Sequence, residues 1–219
     1  MPFGLCNVLV TFSRYMQQVL GNLPNVYVYP DDVLIASQNK KQQVVLQKLK
    51  NTRLICKKKK CHFMQSSVEF LGHTISADGI SVLHEKTKAI KHYPMPNTIK
   101  TGQSFLGMVN YYRNFIKSCS RTSKPIIQYI SKKCEWGDAR VSTVNELKEK
   151  LSSAPVLVPF VPGDTYRLTT DASLTVIGSV LERTVKGKLK GVIGYYSKTV
   201  SNTQSRYPCR RIRIVSYHS

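Results

Sequence analysis

Asp31 and Asp32 stand side by side in Tyr29-Pro30-Asp31-Asp32, between the apolar runs Val26-Tyr27-Val28 and Val33-Leu34-Ile35. Two β-type runs around two adjacent acids read as a hairpin with carboxylates at its tip. Like charges about 4 Å apart repel by roughly 4 kcal/mol at an effective dielectric near 20. A divalent cation cancels that repulsion, and carboxylate oxygens are the hard ligands that Mg2+ prefers. Acids paired in this way can hold metal for phosphoryl or nucleotidyl transfer. Pro-Asp-Asp is also ordinary turn chemistry, and on these four residues alone the turn is the simpler reading.

The flanking pattern supplies the elements that would carry such a hairpin. Thr11 reads as an N-cap, and Phe12, Tyr15, Met16, Val19 and Leu20 follow at helical spacing until Gly21. Residues 40–53 suit a basic helix with Val45 and Leu49 inward. Val68 to Ile75 reads as one strand, with a tight turn at Asp78-Gly79. Glu85 to His92 reads as a short helix that stops before Pro94. Phe105, Val109, Tyr112 and Ile116 mark a further helix, weakened at its start by Gly102. Val144, Leu147 and Leu151 mark another. Beyond Pro155 the pattern turns to strands at Arg167–Asp171, Val176–Leu181 and Val192–Tyr196, with a turn at Lys186-Gly187-Lys188. Helices followed by a run of strands give the α+β class.

The 219 residues carry a net charge of +21, which points to a polyanionic partner. The charge is uneven. No acid falls between Asp32 and Glu69, where Lys57-Lys58-Lys59-Lys60 lies, and none follows Glu182. Backbone phosphate is the partner such stretches fit, with salt-sensitive and sequence-blind attraction. Six cysteines show neither a CxxC pair nor a secreted spacing, and Cys56 with Cys61-His62 lacks the other ligands of a zinc knuckle. No run approaches the roughly 20 apolar residues that span a bilayer. An intracellular protein without a membrane partner is the expectation, its oligomeric state open.

Motifs in a fixed order raise the metal reading above the turn. Met1-Pro2-Phe3-Gly4-Leu5-Cys6-Asn7, Thr11-Phe12, Tyr29–Asp32 and Phe70-Leu71-Gly72-His73 resemble a reverse transcriptase palm. Ser76-Ala77-Asp78-Gly79-Ile80, Ser104-Phe105-Leu106-Gly107, Asn110-Tyr111-Tyr112-Arg113-Asn114-Phe115-Ile116, Ala154-Pro155-Val156-Leu157 and Thr170-Asp171-Ala172-Ser173 continue the series. Over nearly its whole length the chain resembles the polymerase region of gypsy-type LTR retrotransposons. The resemblance implies the carboxyl half of a palm at 1–76, a thumb or connection at 77–134, and the first part of an RNase H-like domain at 135–219.

Site roles follow from the same resemblance. It implies Mg2+ (or Mn2+) on Asp31 and Asp32, and on Asp171 as first ligand of a two-metal RNase H site. Phe3 and Gly4 would line the incoming dNTP and the template. Phe70, Leu71, Gly72 and His73 would form the primer-grip turn, and Tyr111 and Arg113 would meet the RNA or DNA template-primer. Tyr112, on the apolar stripe, reads as core. Read alone, Phe-Leu-Gly in a strand is more often a packing motif, and only its place in the series brings the primer contact level with that reading.

Departures from the pattern qualify these roles. A primed two-residue hairpin with Pro30 at its first central position would need a positive φ that proline does not reach, so the turn must change there; a longer loop that tolerates Pro30 is the other reading. Val8-Leu9-Val10 replaces the Ala-Pro-Ala that precedes Thr-Phe in the family. Cys209-Arg210-Arg211-Ile212-Arg213 stands where the resemblance implies a Glu ligand after Tyr207. A third palm carboxylate is expected upstream of Met1, and further RNase H acids beyond Ser219. The 219 residues by themselves are therefore expected not to polymerise or to cleave RNA. The alternative readings are a non-catalytic, basic nucleic-acid-binding relic and a pseudogene product without function.

Overall fold

The computed structural model describes residues 7–36, 41–131, 137–173, 175–201 and 203. They fall into two compact units, Met1–Phe70 and Leu71–Ser219. Phe3, Gly4 and the segment Tyr207–Arg213 lie outside the described residues.

The first unit is built around a small apolar cluster. Helix α1 (Val8–Leu20) buries Met16 and Leu20, and helix α2 (Lys41–Asn51) buries Val45 and Leu49. Spacings of four residues put each pair on one face. Strands β1 (Val26–Tyr29) and β2 (Asp32–Ile35) add Val26, Val28, Val33 and Ile35 to that cluster. Their register pairs Val26 with Ile35 and Val28 with Val33, so the apolar residues share a face. Side chains join the elements: Gln17 Nε2 donates to the Val28 carbonyl at 3.2 Å, and Lys48 Nζ to that of Val19 at 3.3 Å. Strand β3 (Ser67–Phe70) ends the unit.

Two sequence expectations are corrected here. Thr11 is not the N-cap, because that position falls to Asn7, four residues earlier. Its hydroxyl donates to the Asn7 carbonyl at 2.9 Å instead, from within the helix. Nor is Val68 to Ile75 one strand. Leu71 and Gly72 have φ of +48° and +70°, and separate β3 from β4 (His73–Ser76).

In the second unit β4 pairs antiparallel with β5 (Ile80–Val82). Helices α3 (His84–Lys91), α4 (Ile99–Tyr111), α5 (Cys119–Ile130) and α6 (Asp138–Ser152) follow. Thr98 opens α4 with a capping box, its side chain accepting from the Thr101 amide at 3.2 Å. Phe105, Val109, Tyr112, Ile116, Ile126, Val144, Leu147 and Leu151 form the core. Gly102 lies inside α4, against Ile130. Helix α5 escapes the sequence reading, since Pro125 inside it is a breaker signal.

The chain then lays down an antiparallel sheet of β6 (Thr165–Ala172), β7 (Val176–Val185) and β8 (Lys188–Thr199), in that order. Lys186 and Gly187 turn β7 into β8 with φ of +50° and +74°, as a two-residue primed hairpin requires. An extended segment after α6 ties this sheet to β5. Ile80 and Leu157 exchange two backbone hydrogen bonds of 2.8 Å, and the Val158 amide donates to Val192 at 2.8 Å. Gly79 makes the approach possible, because a Cβ there would lie 2.2 Å from the Leu157 oxygen.

Candidate nucleic-acid interface

Pro30 and Asp31 are the two loop residues of the first hairpin, since Tyr29 pairs directly with Asp32. Neither has positive φ, so the turn is not of the primed kind. Proline at the first loop position is the cause. Both acids are exposed at the tip. Tyr27 and Tyr29 line the outer face beside Asp32 and are more than half exposed. Among the described residues no three His, Cys, Asp or Glu side chains come together as metal ligands. Two carboxylates alone do not satisfy the near-octahedral demand of Mg2+, so the described residues do not by themselves make a magnesium site.

Asp171 is exposed on β6 and pairs with Gly178. Glu182, the next acid in the sequence, pairs with Arg167, four positions along β7 from Gly178. At about 3.3 Å per residue that is roughly 13 Å from Asp171, too far to share one ion. Glu182 is engaged elsewhere, accepting from Arg167 Nε at 2.8 Å. This hydrogen bond, with the charge of Glu182 beside it, raises the pKa of Arg167.

The residues Leu71-Gly72-His73 are gathered with Tyr111, while Phe70 closes β3 and is half-buried. Tyr111 donates its hydroxyl to the Leu71 carbonyl at 2.6 Å, and Tyr112 donates to that of Gly72 at 3.1 Å. Adjacent positions at the end of α4 thus grip adjacent carbonyls of the turn. His73 Nδ1 lies 2.8 Å from the Leu71 oxygen. A carbonyl only accepts, so Nδ1 carries the proton and Nε2 is the nitrogen left to meet another group. The imidazole stacks between Tyr111 and Phe115, with centroids at 5.5 and 5.6 Å, and the Tyr112 ring meets it edge-on at 5.4 Å. Burial, and then the neighbouring Tyr111, raise the pKa of Tyr112.

Tyr112 is buried as the apolar stripe implies, at 4% exposure, yet its hydroxyl serves the turn. The stripe hid that role: periodicity reports the face of a residue, not the reach of its polar end. Arg113 is directed elsewhere. Its guanidinium donates to the Ser197 carbonyl and lies 5.8 Å from the centre of the Tyr196 ring. Ser197, 2% exposed, also accepts from the Ser120 amide at 2.8 Å through Oγ, and its carbonyl accepts from Ser120 Oγ at 2.7 Å. Nothing in the sequence pattern marked Ser120 or Ser197.

Comparison with known proteins gives this geometry its context. A model of the reverse transcriptase (RNA-dependent DNA polymerase) family matches residues 1–75, and one of the RNase H-like domain found in reverse transcriptase matches 136–218. The Tf2-3 and Tf2-7 transposon polyproteins of Schizosaccharomyces pombe are each 33% identical over 216 residues, covering 94% of this chain. The chain spans 16% of the length of these curated relatives. A foamy viral protease-reverse transcriptase solved with double-stranded DNA superposes with a TM-score of 0.83 at 25% identity, over 100% of this chain and 47% of that one. A dRH form, also with double-stranded DNA, gives 0.85 at 25% identity over 99% and 39%. The chain therefore carries reverse transcriptase and RNase H-like domains and is a homologue of the Tf2 retrotransposon polyproteins.

Proposed function

We propose that the chain is a segment of a gypsy-type retrotransposon polyprotein. Residues 1–76 correspond to the carboxyl half of the palm, 77–134 to the thumb or connection, and 135–219 to the first part of the RNase H-like domain. The ancestral reaction is RNA-directed DNA synthesis, in which a primer 3′-hydroxyl attacks a dNTP. Asp31 and Asp32 descend from Mg2+ ligands of that reaction, Asp171 from a ligand of RNase H, and Phe3 and Gly4 from the nucleotide site. Arg113 belongs to the thumb surface beside the duplex.

By themselves these 219 residues hold nucleic acid without polymerising it. The observation that carries this reading is the turn at Leu71-Gly72-His73, gripped at both carbonyls by Tyr111 and Tyr112. It supports a primer-grip role, because a rigid turn with glycine at its tip lets a sugar-phosphate strand approach the backbone closely. The net charge of +21 supports the same partner, as do the duplexes bound by the foamy viral enzymes.

Two assays on the purified chain test the proposal. Primer extension on a poly-rA template with Mg2+ or Mn2+ is expected to give no incorporation. Filter binding to a primer-template duplex is expected to be steeply salt-dependent and unchanged by Asp31→Asn. Incorporation that Asp31→Asn abolishes would restore the polymerase reading. Absence of any binding would leave a pseudogene product.

A further inference from the structure

The loop that joins α2 to β3 combines adjacent cations with exposed apolar side chains. Lys57, Lys58, Lys59 and Lys60 follow one another on it, and all are exposed. Lys58–Lys60 form one turn of 3-10 helix, closed by the Lys60 amide on the Lys57 carbonyl at 2.8 Å. Cys61 adds to the closure, its thiol donating to that carbonyl at 3.4 Å. No acid lies between Asp32 and Glu69 in the sequence, and no ion pair among the described residues engages these lysines.

Large apolar side chains border the lysines on both sides. Ile55 is 95% exposed and Met64 84%, with Phe63 at 44%. The end of α2 sets the first of them outward. The Leu54 amide donates to the Leu49 carbonyl at 2.9 Å, and the Leu54 side chain joins the apolar cluster of the first unit. Ile55, the next residue, leaves that cluster for solvent. Apolar residues scattered singly over a surface need no explanation. Apolar residues that flank a run of lysines are a different pattern, that of a segment lying on a membrane interface.

The two sets of side chains together select the partner. A nucleic-acid strand would meet the lysines with phosphate and leave Ile55 and Met64 in water. An anionic bilayer satisfies both, because its headgroups take the ammonium groups and its acyl boundary takes the apolar side chains. Lysine stems suit that boundary, lying along apolar surface while the charge stays in water. No helix among the described residues is long and apolar enough to cross a membrane. A peripheral surface needs none, and the expectation of no membrane partner rested only on the lack of a spanning run.

We propose that residues 55–64 form a peripheral membrane-binding surface, on which Lys57–Lys60 meet anionic headgroups while Ile55, Phe63 and Met64 enter the bilayer interface.

Co-sedimentation of the full 219-residue chain with mixed phosphatidylserine and phosphatidylcholine vesicles tests the proposal, beside vesicles of phosphatidylcholine alone. Binding is expected to the anionic vesicles and not to the neutral ones. Combining Lys57→Gln, Lys58→Gln, Lys59→Gln and Lys60→Gln should weaken it by about fivefold per lysine. The double variant Ile55→Ser and Met64→Asn should weaken it by about tenfold or more. Its affinity for a DNA primer-template duplex should stay at the parent's value. Both side chains are exposed, and Asn accepts the φ of +55° at position 64, so the fold withstands these changes. Vesicle binding unchanged in the double variant would reduce the effect to plain attraction by the net charge and overturn the proposal. Equal losses of vesicle and duplex affinity would assign the surface to nucleic acid instead. Absence of binding, equal binding to neutral vesicles, or full binding without the lysines would overturn it as well.

Discussion

The Tyr112 hydroxyl stands 3.0 Å from the place where a Cβ on Gly72 would lie, and it donates to the carbonyl of that same glycine. Position 72 is therefore closed to a side chain twice over, by the oxygen and by its φ of +70°. Gly72→Ala is expected to destabilise the protein by about 1–2 kcal/mol, the cost of a left-handed L residue. Chemical unfolding measures that loss. Gly72→Asn, which tolerates this conformation better, should lose less from φ while meeting the same oxygen.

Alkaline pH should find the buried acids of the second unit. Cys119 is 3% exposed and its pKa is raised by burial, partly offset by Ser123, Arg113 and Lys150. Tyr112 is raised by burial and then by Tyr111. A group whose folded pKa is raised binds its proton more tightly when folded. The stability it contributes is complete below the unfolded pKa, about 8.5 for a thiol and 10 for a phenol, and fades as pH climbs through the folded value. Unfolding free energy is expected to fall above about pH 8.5. Cys119→Ala should flatten the early part of that fall and Tyr112→Phe the later part, as followed by denaturant titration at each pH. The same burial protects Cys119 from alkylation at neutral pH, whereas exposed Cys56 should react quickly.

Ser197 offers a test of how the last sheet is seated on α5. Its Oγ accepts from the Ser120 amide in a position only 2% exposed. Ser197→Ala leaves that N–H without its partner, at an expected cost of about 1–3 kcal/mol. Arg113→Lys keeps the charge but loses the flat guanidinium beside Tyr196, and should cost less. A double-mutant cycle between Ser120→Ala and Ser197→Ala should give a coupling of about 0.5 kcal/mol or more, because the two serines bond reciprocally. Additive losses would mean that the two bonds act independently, and no loss in either single variant would mean that the contact does not hold the sheet.

How much of this was legible beforehand depended on the kind of signal. Periodicity placed Met16 and Leu20, Phe105 and Val109, and Val144, Leu147 and Leu151 on buried faces, because repeating apolar residues report burial directly. The acidic hairpin was legible too, and Pro30 announced its altered turn. The break at Leu71 was not, since a leucine at φ +48° goes against its own preference and is imposed by residues forty positions away. Helix α5 was hidden by Pro125. The bonds of Arg113 and Ser120 to Ser197 span 84 and 77 residues, and no local pattern encodes a partner at that separation.

The two acids at the first hairpin give the last prediction. Asp31 and Asp32 are exposed, and among the described residues no third carboxylate joins them. Mg2+ surrenders its water reluctantly and is held well only when several oxygens replace that water in octahedral array. Calorimetric titration with MgCl2 is therefore expected to show no saturable site below the millimolar range. Unfolding curves should be the same with and without a chelator, because no fold depends on the ion. Asp32→Asn removes half of a like-charge pair, so stability should stay within about 0.5 kcal/mol of the parent, as for a surface change. Duplex affinity should hold or rise slightly, since the variant is less repulsive to phosphate. A micromolar Mg2+ site abolished by Asp32→Asn would show instead that the hairpin still assembles a metal centre.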